Sequence, residues 1–172
     1  MKHGQTPSQT VGPFFAYGLT PEQYGYPFAQ IAPGAIEAQG ERIKITGQVF
    51  DGKKVPVVDA LVEIWQPGVG FARQGTGTRS DCSFEFETTK PTTASAGEAP
   101  HVNAILFMRG LLSHLYTRVY FEDEMAANDA DDVLLTVPKN RRITLIAKAT
   151  QAGQYRFDIH LQGDDETVFF DL

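Results

Sequence analysis

The chain has 172 residues, a formal net charge of −6 and a sequence pI near 5.1, and 42% of its residues are hydrophobic. That length fits one domain with one sizeable core, and the hydrophobic share argues against a disordered chain. The acidic balance, with no basic run, excludes the electrostatic footprint of a nucleic-acid binder, and no stretch approaches the ~18 consecutive apolar residues of a membrane span.

The opening residues Met1-Lys2-His3-Gly4-Gln5-Thr6-Pro7 lack an apolar run and do not read as a signal peptide. With a single cysteine, Cys82, neither an intrachain disulfide nor a cysteine-rich metal site is available, and a cytoplasmic location is expected. Cys82 itself reads as a small residue in a turn before a strand. Residues 1–40 carry Pro7, Pro13, Pro21, Pro27 and Pro33 with little periodicity, which predicts an extended arm with turns. The arm also holds Phe14, Phe15, Tyr17, Tyr24, Tyr26 and Phe28, rings that need burial on this domain or on a partner.

From residue 41 the pattern becomes that of a β domain running to residue 172. Ile43, Ile45 and Val49 share one parity, and Asp51-Gly52 marks a turn. Residues 60–65 form an apolar run that predicts a strand buried on both faces. Gly68, Gly70, Gly75 and Gly77 have no strand–turn–helix context for phosphate binding and read as loop glycines. Phe84-Glu85-Phe86-Glu87 alternates, residues 103–107 and 115–121 predict paired strands linked near Gly110, and residues 155–161 give the cleanest alternation in the chain. Residues 167–170 predict a closing strand. Helix signals are few: about two turns after Pro138 reaching Ile146, and a short piece within residues 125–135. Many strands without βαβ alternation, and aromatic-rich composition, predict an all-β sandwich with one or two short helices.

The one metal-site-like element is His101-Val102-Asn103. A His-x-His pair in a strand presents two imidazoles to one side. Here the second position is a neutral amide, a poor ligand for a transition metal. On residue chemistry alone His101 is a lone histidine capping a strand near Pro100. His3, His114 and His160 have no second histidine nearby, and no zinc-finger, P-loop or nucleophile-elbow pattern exists. Arg109 shares parity with His101 if the strand is regular, but eight residues put them roughly 26 Å apart. It is either a solvated strand-end arginine or a reader of an anionic ligand elsewhere.

Several segments together resemble the intradiol ring-cleaving dioxygenases, most closely the α-subunit branch of their protocatechuate-cleaving members. They are Thr6-Pro7-Ser8-Gln9-Thr10-Val11-Gly12-Pro13-Phe14, Gly47-Gln48-Val49-Phe50-Asp51-Gly52, Val62-Glu63-Ile64-Trp65-Gln66, Thr88-Thr89-Lys90-Pro91, Pro100-His101-Val102-Asn103, Leu115-Tyr116-Thr117-Arg118-Val119-Tyr120-Phe121 and the end of the chain from Tyr155 to Asp171. Each is weak alone; their shared order is specific.

The resemblance implies a site of two tyrosines and two histidines holding Fe(III) in the catalytic chains. This sequence keeps His101, has Asn103 in place of the second histidine, and has no tyrosine in residues 66–81 or 91–100. The resemblance therefore implies that this chain binds no metal and carries no catalytic residue, that Fe(III) belongs to a homologous β partner, and that the two form a higher hetero-oligomer. It assigns Thr10, Gly12, Pro13, Phe14 and Arg109 to the substrate pocket, with a small aromatic acid such as protocatechuate and O2 as reactants, and leaves His101 and Asn103 as a vestigial metal position. The rival readings are a non-enzymatic β-sandwich binding or assembly module related in fold to transthyretin-like domains, and a self-sufficient dioxygenase using His101, Asn103 and arm tyrosines.

Overall fold

β1 (Arg42–Phe50) sets the frame. Ile43, Ile45 and Val49 alternate with more exposed residues and point into the core, as their shared parity predicts. The computed structural model describes residues 4–32, 34–93 and 95–171; His3 and Pro33 lie outside the described residues. The arm holds α1 (Phe14–Leu19), and the sandwich continues with β2 (Leu61–Gln66), β3 (Gly70–Gly75), β4 (Ser83–Thr89), β5 (His101–Phe107), β6 (Leu115–Phe121), α2 (Met125–Asn128), α3 (Asp132–Thr136), β7 (Ile146–Gln151), β8 (Gln154–Arg156) and β9 (Ile159–His160).

The strands run in the order β3-β2-β5-β6-β7-β8-β1-β4, with β9 beside β1. β7 is the corner: it pairs in parallel with β6 and antiparallel with β8. The β3-β2-β5-β6 layer thereby folds over the β8-β1-β4 layer, and the fold is the predicted all-β sandwich. Phe84 and Phe86 of β4, Val62 and Ile64 of β2, Val102, Ala104 and Leu106 of β5 and Phe121 of β6 fill the space between. A fully buried phenylalanine such as Phe86 contributes about 2–3 kcal/mol of transfer free energy. A second, smaller cluster of Ala99, Tyr120, Leu134, Val137 and Leu145 packs α3 onto the outer face of β6.

Several expectations change in detail. The arm is not wholly extended: Pro13, with φ −62°, leads directly into α1. Gly70 and Gly75 are not loop residues but the two ends of β3, an edge strand paired to β2 in a hairpin whose Glu63–Arg73 ion pair crosses the ladder. β2 is buried on both faces only at its start, since Trp65 is half exposed. Residues 155–161 keep their alternation but split into β8 and β9. The Asp158 carboxylate accepts the Gln48 N–H at 3.0 Å, taking the place of a backbone carbonyl in the ladder. The predicted closing strand reduces to one bridge, Phe170 N–H to the Tyr116 carbonyl, because the Thr117 hydroxyl takes the Val168 carbonyl at 2.8 Å. Only a 3-10 turn at Arg142–Leu145 forms after Pro138, and Ile146 opens β7 instead. The helical piece predicted within residues 125–135 is two helices, divided where the Asp131 side chain caps α3. Cys82 occupies the expected turn before β4, in a left-handed conformation (φ 59°).

Candidate functional site

His101 opens β5 and is buried among fixed partners. Its ring Nδ1 meets the Ala99 carbonyl at 2.8 Å. A carbonyl only accepts, so Nδ1 carries the proton. The Ala99 N–H donates in turn to Asp131 at 2.7 Å, and Asp131 also accepts from the Leu134 N–H at 2.6 Å and the Tyr120 hydroxyl at 2.9 Å. Burial pushes the His101 imidazole below its ordinary pKa, so it is neutral at physiological pH.

These surroundings do not fit a ferric ion. The phenol nearest His101 in the aromatic contacts is Tyr120, with ring centroids 5.5 Å apart. Burial pushes its pKa far above the ordinary tyrosine value, and its proton is committed to Asp131, whereas a ferric ligand must be a phenolate. The cleft beside His101, about 390 Å³, is lined by Lys90, Gln66, Thr89 and Glu124. The Lys90 ammonium donates to Asp123 at 2.7 Å and to the Tyr155 hydroxyl at 2.8 Å, and lies 4.6 Å from the Phe121 and Tyr155 ring centroids. Asp123 and Glu124, 2.7 and 3.6 Å from the ammonium, are thereby engaged by Lys90. Asn103 follows His101 by two residues on the same face of β5. It lines the neighbouring cleft of about 410 Å³ with Trp65, Ile105, Tyr116 and Phe170. Among the described residues no group of three His, Cys, Asp or Glu side chains converges as a metal site.

A second locus lies at the other end of β5. That strand stops at Phe107, so Arg109 sits in the following turn and the parity expectation for it does not apply. The seven residues of β5 still separate the two ends by roughly 20 Å. Gly110 takes φ +96°, which a glycine adopts without strain, and its N–H donates to the Thr10 hydroxyl at 2.8 Å. Phe15 packs on Phe107, ring centroids 5.4 Å apart. Gln9, Val11 and Phe15 of the arm and Met108, Leu111 and His114 of the turn enclose a cleft of about 210 Å³. Arg109 donates its Nε–H to the Asp59 carboxylate.

The structure thus joins Thr10 to the Arg109 turn, across 100 residues of sequence. Gly12 and Pro13 follow on the same short segment, leading into α1. A Cβ at Gly12 would meet nothing within 4 Å in this chain. Phe14 is 77% exposed and touches Tyr17 edge-on. Tyr26, Phe28 and Ile31 extend this exposed apolar surface along the arm.

Three contributors were not visible as such in the sequence. Gln23 pairs its side-chain amide with both backbone groups of Gly75, at 2.6 and 2.8 Å, and so holds the arm to the edge of β3. Tyr24 inserts beside Gly75 and Gly77, where an added Cβ would lie 2.6 and 2.9 Å from its hydroxyl. Asp59 faces Arg109. The paired glycines flanking the Thr76 position were the available signal, since a strand end closed to any side chain marks a docking point.

No family model matches the chain. It is 50% identical to the protocatechuate 3,4-dioxygenase alpha chain of Burkholderia cepacia, over 98% of both chains, and 38% identical to that of Pseudomonas putida, over 98% of this chain and 96% of the relative. It is also 31% identical to the Burkholderia cepacia protocatechuate 3,4-dioxygenase beta chain, over 76% of this chain and 68% of that one. Among solved structures, the dioxygenase domain of a dioxygenase carbohydrate-binding protein fusion from Streptomyces sp. SirexAA-E superposes with a TM-score of 0.60 at 20% identity, over 95% of this chain and 100% of that one. Hydroxyquinol 1,2-dioxygenase from Pseudomonas putida DLL-E4 gives 0.57 at 15% identity, over 92% of this chain and 68% of that one. These likenesses show the shared sandwich, and the full-length identities show the kinship: the chain belongs to the protocatechuate 3,4-dioxygenase alpha-chain family of intradiol ring-cleaving dioxygenases.

Proposed function

We propose that this chain is the iron-free α subunit of a protocatechuate 3,4-dioxygenase, completing the substrate pocket of an iron-bearing β chain in a cytoplasmic hetero-oligomer. The partner's Fe(III) supplies the chemistry that cleaves protocatechuate between its two hydroxylated carbons with O2, giving 3-carboxy-cis,cis-muconate. This chain contributes no ligand and no reacting group. Its part is to bind and orient.

The observation that carries the reading is the Thr10–Gly110 hydrogen bond. It ties Thr10 to the turn that carries Arg109, away from the His101 end of β5, with Gly12, Pro13 and Phe14 following Thr10 on the same segment. Pro13 fixes the direction of the segment and Gly12 leaves its backbone open to close approach. The ring of a substrate packs there, and the Arg109 guanidinium pairs with the carboxylate that distinguishes an aromatic acid from a plain catechol. The stranded His101 and the Tyr120 phenol held by Asp131 support assigning the metal to the partner.

The test is to purify the chain alone and together with its β partner, and to measure iron content, visible phenolate-to-iron colour and protocatechuate-dependent O2 uptake. Iron and activity only in the pair are expected. Iron and activity in the chain alone would sink the reading, and neither in the pair would favour a binding or assembly module. In the active pair, Arg109→Ala raises the KM for protocatechuate on the order of tenfold or more, the size of a lost charge-assisted pair.

A further inference from the structure

Asp59 is a carboxylate in an unusual position. Its side chain is only 15% exposed, at the end of the loop that precedes β2, and the ion pair it makes is with Arg109. Burying a carboxylate without a partner is costly, so that bond is structurally demanded. The loop around it is stiff. The Thr76 hydroxyl donates to the Val57 carbonyl at 2.7 Å and accepts the Ala60 N–H at 3.1 Å, which fixes the backbone on both sides of Asp59. Thr76 and Ala60 are themselves fully buried.

Arg109 is the opposite case. Its side chain is 56% exposed, and it stands in a turn next to a glycine of positive φ. A free arginine samples many rotamers, and ordering it costs up to about 2 kcal/mol of side-chain entropy. The bond to Asp59 engages the Nε edge. Among the described residues no other side chain bonds this guanidinium. The two Nη groups therefore remain as an oriented, planar pair of donors.

We infer that Asp59 is a positioning residue for substrate selection: it holds the Arg109 guanidinium by Nε so that the Nη edge receives the carboxylate of an aromatic acid. The inference rests on the pocket role proposed for Arg109 and adds how that role is enforced. It has a chemical consequence. The Asp59–Arg109 pair is neutral overall, so it draws anions only weakly from a distance. Selectivity arises at contact, from two donors already aligned with a carboxylate, at little further entropic cost.

The experiment uses the assembled complex with the β chain. It compares Asp59→Ala, Asp59→Asn and Arg109→Ala, reading kcat and KM for protocatechuate and the inhibition constant of catechol, which lacks the carboxylate. Asp59→Ala frees the guanidinium and is expected to raise the protocatechuate KM roughly tenfold, within the side-chain entropy that substrate binding must then supply, with the catechol constant unchanged. Asp59→Asn keeps an oxygen acceptor for Nε–H and is expected to restore most of that loss. The inference is overturned if Asp59→Ala leaves the protocatechuate KM unchanged or lowers it. It is overturned equally if the alanine and asparagine variants behave alike, which marks an effect of charge, or if catechol binding weakens in parallel, which marks a general disturbance of the pocket. Arg109→Ala separates this from the parent reading. If it has no effect, the pocket role of Arg109 fails; if it has its effect and Asp59→Ala does not, only the positioning role fails.

Discussion

Replacing Gln23 by alanine tests whether the arm is held in place by one side chain. Gln23 donates to the Gly75 carbonyl at 2.6 Å and to the Thr78 hydroxyl at 2.8 Å, and accepts the Gly75 N–H at 2.8 Å. Gly75 lies on the edge strand, so its outward backbone groups turn to water once the amide is gone. A net contribution of about 0.5–1.5 kcal/mol per hydrogen bond, taken toward the lower end because the contacts are partly exposed, gives about 2 kcal/mol in all. At 1.36 kcal/mol per decade this shifts the docked–undocked balance of the arm roughly 30-fold. Hydrogen exchange read by mass spectrometry checks it: peptides covering residues 14–26 and the Gly75 amide should exchange about 30-fold faster, while the β5–β6 hairpin keeps its protection. Because the same arm carries Thr10 and Phe14, the KM of the complex for protocatechuate should rise with it. Gln23→Glu, which lacks the N–H donor and sets a negative charge beside the Gly75 carbonyl, should do no better than alanine. Unchanged exchange over residues 14–26 would refute the reasoning and leave Tyr24 as the sufficient anchor.

Two further outcomes follow from the buried network behind His101. Asp131→Ala removes the acceptor of the Ala99 and Leu134 amides and the Tyr120 hydroxyl in a fully buried position; three stranded donors at about 1–3 kcal/mol each should cost at least about 3 kcal/mol in urea unfolding at pH 7, a large part of a typical domain's 5–15 kcal/mol. His101 has a folded pKa held below its unfolded value of 6.5, so the unfolded state takes up a proton that the folded state refuses. Its contribution to stability is complete above about pH 6.5 and is lost as pH falls below that value. The melting temperature should therefore drop between pH 7.5 and pH 5, and His101→Gln should flatten part of that slope.

The sandwich was legible because its strands bury one face, and alternation survives even where pairing does not. Tyr155, Phe157 and Ile159 all point inward although Asp158 interrupts the ladder between them. β3 was not legible: Phe71-Ala72-Arg73-Gln74 has no period, and the strand exists because β2 offers it a hairpin partner. Ile143 to Ile146 looked helical by spacing, yet Ile146 pairs with Tyr120, a tertiary contact that local pattern cannot reveal. At the candidate site, the failed metal motif was visible as Asn103, but the Ala99 carbonyl that fixes His101 and the Asp131 carboxylate that holds the Tyr120 phenol were not. The Asp59–Arg109 and Thr10–Gly110 contacts span 50 and 100 residues, and neither leaves a trace in local sequence.

The parallel ladders of β1 with β8 and β9 carry a consequence for biosynthesis. Gln48 meets Asp158 across 110 residues, so one side of β1 stays unpaired until those later strands have left the ribosome. The β2–β3 and β5–β6 hairpins close locally as the chain emerges, while β1 finds β4 and then waits. During that interval an apolar-faced strand edge is open to other nascent chains. Production of this subunit should therefore depend on translation rate and chaperone supply more than its modest size suggests, and a truncation that removes β8 and β9 should fail by aggregation rather than by loss of a single contact.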